Sequence, residues 1–143
     1  MRMAAALISA ALLAAGPSRA EDVALTSFDG TVEDAAFLLE SAIIGEGLVV
    51  EFTSHVGEML ERTGADLGAG PSPVGDAQIL LFCSATVSRA AMEADPTNVA
   101  NCPYAVFAAV IDGETVVGHR SFPEASMAPV NELLSRIVAA AVE

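Results

Sequence analysis

The residues of this chain that could do chemistry are few: Cys83, Cys102, His55 and His119. Both cysteines fall within one stretch, LLFCSATVSRAAMEADPTNVANCPY, residues 80–104. Four readings of the pair stand open. They are a disulfide, a pair of soft-metal ligands, a reactive thiol with a partner, and two small packing residues. No C-x-x-C or C-x-x-C-H occurs, so thioredoxin-type redox chemistry and covalent c-type haem are out. G-x-S-x-G and H-E-x-x-H are absent as well. Cofactors stay unknown from sequence.

Positions along the chain decide which chemistry is open. His55 and Cys83 each stand at a strand end where a helix begins. The positive end of a helix favours a thiolate at Cys83 and a neutral imidazole at His55. Cys83 as nucleophile with His55 as base would make a thiol-dependent redox or sulfur-transfer enzyme. That pairing needs strands 48–54 and 77–83 to run parallel. His119 lies opposite Val106 in a hairpin, near its open end, and Cys102 precedes that end. With strand 104–111 antiparallel to 77–83, one rim would gather His55, Cys83, Cys102, Tyr104 and His119 as ligand or metal candidates. With it parallel, the cysteines part by roughly 20 Å, beyond the ~7 Å Cα spacing of a bridge. The bland readings stand beside these. His55 is then a polar cap, and His119 a solvated residue on an edge strand.

The elements that must position these residues read as follows. VALTSF (23–28) is a first strand, and Thr31-Val-Glu-Asp34 opens a helix with a capping box. In LVVEFTS (48–54) Leu48, Val50 and Phe52 alternate onto one face. Ser54 can cap a helix over 55–63, and GADLGAGPSPVGD is a loop. AQILLFC (77–83) is apolar on both faces, as an inner strand should be. Ser84 caps a helix that ends at Asp95-Pro96. YAVFAAVI and ETVVGH flank Asp112-Gly113, the two-residue link of a type I′ hairpin. A last helix follows Ser126. The order β-α-β-α-β-α-β-β-α predicts an α+β fold, one mixed or antiparallel sheet of about five strands with helices on one face. Val50, Phe52, Leu81, Val106, Val116 and Leu133 are expected in the core. The alanine-rich faces of helices 85–94 and 127–142 suit core packing or a homodimer contact.

The N-terminus reads as a secretory signal, residues 1–20. Arg2 precedes an apolar run from Ala4 to Ala15, and Ser18-Arg19-Ala20 offers a small-residue cleavage site before Glu21. The run is too short to span a bilayer. One α+β domain, residues 21–143, is then expected in the periplasm or outside the cell, with no membrane span after signal cleavage. Removing Arg2 and Arg19 takes the formal charge from −13 to −15. Lysine is absent, which removes Schiff-base and Walker-type phosphate chemistry. So acidic a surface repels phosphate backbones, making nucleic acid an unsuitable partner. A small ligand, a periplasmic redox partner or a second copy fits better.

Three segments resemble one bacterial family, the domain of unknown function 302. They are GLVVEFTSHVGEML, the strand ending F-C-S-A with its helix closing M-E-A-D-P, and the C-P-Y step into the hairpin. The likeness spans about residues 25–120. Cys83-Ser84-Ala85 stands where the commoner pattern has cysteine or glycine, then Asn-Pro. Cys102 precedes Pro103 where the family has Leu-Pro-Cys, so no role carries over onto Cys102. The resemblance implies an α+β fold and names no reaction. The residues favour a ligand-, metal- or partner-binding accessory protein, with the thiol enzyme as alternative.

Overall fold

A computed structural model describes residues 22–143. The expected signal segment and its cleavage site before Glu21 lie outside the described residues. The elements are β1 (Val23–Ser27), α1 (Val32–Gly45), β2 (Val50–Ser54), α2 (Val56–Gly64), β3 (Ala77–Phe82), α3 (Ala85–Ala94), β4 (Tyr104–Ile111), β5 (Glu114–Arg120) and α4 (Ala128–Val142). Short 3₁₀ turns cover Pro96–Asn101 and Ala125–Met127. The five strands form one antiparallel sheet in the order β1-β5-β4-β3-β2.

Local chemistry accounts for the element ends. Thr31 and Asp34 form the reciprocal capping box, the Thr31 hydroxyl accepting from the Asp34 amide. Asp112 and Gly113 both take positive φ, +53° and +84°, which a type I′ turn requires. Asp95 accepts from the Thr97 amide and hydroxyl, and so starts the 3₁₀ turn that returns the chain toward β4. The side chain of Asn98 ties that turn down, donating to the carbonyl of Ala91 and to Ser126.

The core fills one side of the sheet. Leu39 and Ile43 of α1, Leu80 and Phe82 of β3, Val106 and Ala108 of β4, Val117 of β5, and Leu134 and Ile137 of α4 are all buried together. Phe82 and Tyr104 meet edge to face at 6.4 Å. Ala91 of α3 and Ala141 of α4 are buried in this core, which is the use of the alanine-rich faces here.

Three expected core residues face the other way, of which Val116, opposite Ala109, is nonetheless buried. Phe52 is 62% exposed, and Leu81 is only half-buried. Leu81 faces outward because Leu80 and Phe82, on either side of it in β3, take the core side; for Phe52 the cause is a β-bulge. Val50 pairs with Phe82 and Phe52 pairs with Leu81, so two steps on β2 answer one step on β3. Glu51 is the extra residue, and it shifts the alternation of β2 by one. Val50 therefore stays on the helix side, while Phe52 passes to the open side beside Leu81. Strict alternation from Leu48 puts Phe52 in the core because it contains no extra residue.

Candidate functional site

The antiparallel pairing of β3 with β4 brings the two cysteines together. Phe82 is opposite Tyr104, so the residues just beyond, Cys83 and Cys102, share one sheet end. Their Sγ atoms stand 3.2 Å apart as free thiols in contact, where a bonded pair stands at about 2.0 Å. Cys83 lies one residue before Ser84, which accepts the Val87 amide and caps α3. Cys102 closes the 3₁₀ turn, its amide donating to the Val99 carbonyl. The Ser88 hydroxyl of α3 stands 3.7 Å from the Cys102 sulfur. The buried Tyr104 ring reaches the same corner; burial raises its phenol, and a hydrogen bond from Ser88 opposes that shift.

The electrostatics run against a reactive thiolate. Burial, the Cys102 thiol and the Glu51 carboxylate push Cys83 up to about 12. The expected help of the helix terminus does not prevail, because the pair sits among apolar groups beside a carboxylate. The bulge is the source of that carboxylate, since Glu51 is its extra residue.

The other expected members do not join the pair. Strand β2 runs antiparallel to β3, with Ser54 opposite Ile79 and Val50 opposite Phe82. His55 therefore lies at the far end of β3 from Cys83, roughly 17 Å away at 3.4 Å per residue. It is the N-cap of α2 without a side-chain cap bond, and its Nδ1 is 3.9 Å from Glu58. There it borders a separate cleft of about 460 Å³ with Glu33, Glu40, Glu58 and Asp76. His119 is no solvated edge residue; it is 4% exposed. Strand β1 pairs outside β5 and removes that edge. The imidazole of His119 turns to α4, with Nδ1 2.8 Å from the Arg120 carbonyl and Nε2 3.3 Å from the Ser135 hydroxyl. Neither imidazole completes a ligand set with the thiols. Among the described residues, no group of three or more His, Cys, Asp or Glu side chains is placed to hold a metal.

Glu51 and Ser88 are the members of the corner that sequence reasoning missed. Ser88 was visible as one turn beyond the capping Ser84. No local signal marks Glu51, which reaches Cys83 only through the β2–β3 pairing.

The raised thiol gives the reduced protein a pH dependence. A thiol whose folded value lies above its ordinary value of 9.0 leaves stability unaffected below that value. As pH rises from 9 toward 12, the unfolded chain loses its proton first and stability falls. Tyr104, also raised, adds a fall of the same sign above its ordinary value of 10.0. The window between pH 9 and 10 therefore isolates the thiol. Urea midpoints of the reduced protein should drop across that window, and Cys83→Ser should flatten the drop. A reduced protein with equal midpoints at both pH values contradicts the buried, protonated Cys83.

The family model described as "Domain of unknown function DUF302" matches residues 23–143. The chain is also similar to a solved structure, the crystal structure of uncharacterized conserved protein DUF302 from Bacillus stearothermophilus. The identity is 16% and the TM-score 0.68, over 87% of this chain and 100% of that chain. At that identity the likeness is one of fold. None of the curated proteins matches this chain.

Proposed function

The chain belongs to the DUF302 family, and from that premise we propose that it is an exported accessory domain that works by binding, its Cys83–Cys102 pair closing as a disulfide in the oxidising periplasm or outside the cell. The observation that carries this reading is the 3.2 Å sulfur contact around a thiol held protonated. A protonated thiol is a poor nucleophile. With His55 at the other end of β3, no imidazole is at hand to deprotonate it. The thiol enzyme built on Cys83 and His55 thus lacks its base. The pair instead suits a bond formed once during folding, by an oxidant of the compartment that accepts two electrons and two protons. It would join the end of β3 to the entry of β4.

Mass spectrometry of the native protein, purified from the cell envelope fraction under alkylation, tests this. The expected result is one Cys83–Cys102 bridge, no alkylated cysteine and a mature N-terminus at Glu21. Two alkylated thiols in exported protein, or retention of Met1, would overturn it.

A further inference from the structure

We infer that the cavity at the open end of the β4–β5 hairpin binds a small organic carboxylate, its anionic end held by the Arg120 guanidinium and its apolar body by the cavity walls. This rests on the binding role proposed above, for which it names a site and a ligand class, and does not depend on the state of the cysteines.

The cavity holds about 230 Å³ where β4 begins and β5 ends. Buried Tyr104, Phe122 and Leu134 line its inner side, and the more exposed Pro103 and Ala105 line it toward solvent. Arg120 is the one charged residue of the lining. Its guanidinium lies over the Phe122 ring, 5.2 Å from the centroid. The backbone of Phe122 is in turn clamped by Asn131, whose carboxamide accepts from the Phe122 amide at 3.0 Å and donates to its carbonyl at 2.7 Å. The cation is thus positioned before any ligand arrives. It also has no internal counter-ion. Arg89 pairs with Glu93 and Arg136 with Glu46, but among the described residues no carboxylate lies within ion-pair distance of Arg120.

Charge, shape and size select the ligand. A guanidinium presents a planar fork of N–H donors that meets a carboxylate in two parallel hydrogen bonds. One cation answers one negative charge, and a chain of net charge −13 repels the second charge of a phosphate dianion. The apolar walls require an apolar body beside the anionic group. A cavity of about 230 Å³ lies below the roughly 300–1,000 Å³ of drug-sized sites, so the ligand is small. An aromatic or short branched monocarboxylic acid meets all of these conditions. The larger cleft beside His55 repels the same ligand, because Glu33, Glu40, Glu58 and Asp76 line it.

The test is a titration of the native protein, purified from the cell envelope fraction, with benzoate and with its neutral counterpart benzamide. Each is raised to about 20 mM at constant ionic strength, and backbone amide resonances are followed. Benzoate should shift the amides of Ala105 and Phe122 saturably, with a dissociation constant in roughly the millimolar range of so small a ligand. Benzamide should bind at least about tenfold more weakly, for want of the charge-assisted pair. Arg120→Gln should weaken benzoate by about the same factor and leave benzamide unchanged, a selectivity that a merely structural role would not produce. Arg62→Gln, at an exposed site on α2, should change neither. The inference is overturned by absent or non-saturable shifts at these amides, or by equal affinity for benzoate and benzamide. It is overturned equally if Arg120→Gln binds benzoate as the parent does, or if Arg62→Gln weakens it as much. The cysteine state of the same sample separates the two proposals. A bridged protein that binds no benzoate overturns the pocket alone, and alkylated thiols with benzoate binding intact overturn the bridge alone.

Discussion

Phe82→Ala should destabilise the domain by about 3–5 kcal/mol, whereas Leu81→Ala, one residue earlier, should cost about 1 kcal/mol. The two side chains leave the same strand on opposite faces. Phe82 is fully buried, and its ring meets Tyr104 edge to face. Truncation leaves a cavity walled by the sheet and by the helices of the core, which the neighbours cannot refill without leaving their rotamers. Leu81 packs only against its neighbours on the open face. Domains of this kind are stable by about 5–15 kcal/mol, so Phe82→Ala removes a large share of the total. Urea unfolding measures both. A Leu81→Ala cost equal to that of Phe82→Ala would mean that the register of β3 is inverted.

Reduction of the proposed Cys83–Cys102 bridge should lower stability by about 3 kcal/mol. The cysteines are 19 residues apart. In the chain-entropy model a loop of that length restricts the unfolded ensemble by about that amount. Native strain should subtract little, because the sulfurs already touch and both flanking segments are anchored. Ser84 caps α3 on one side, and Asn98 ties the turn before Cys102 on the other. With a urea slope of about 1.5 kcal/mol/M for a domain of this size, the midpoint should fall by roughly 2 M on reduction. The reduced form should still fold at neutral pH, because the core does not depend on the bond. Equal midpoints with and without reductant would show that the pair contributes no covalent link, and that the cysteines serve as packing.

What the sequence by itself determined is local. The capping box at Thr31, the Asp-Gly hairpin at 112–113, the caps at Ser84 and Asp95, and the 3.6- and 2-residue periodicities each lie within a window of a few residues. Backbone sterics and hydrogen bonding decide there without help from distant chain. The caps, turns and periodicities give the α+β order that the structure has, and the family motifs, equally local, imply the same fold. Strand direction is not local. Either direction of β2 against β3 satisfies the same alternation, and the direction adopted sends His55 to one end of the sheet and Cys83 to the other. The same antiparallel direction of β4 against β3 brings Cys83 beside Cys102. His119 looked exposed because nothing in its hairpin tells that β1, about ninety residues earlier, will cover that edge. The bulge at Glu51 is one uncounted residue, visible only in the pairing. It alone turns Phe52 outward and sets a carboxylate beside Cys83. Tertiary structure thus decided the site, because burial and neighbouring charge set a thiol's protonation, and both come from segments far away in sequence.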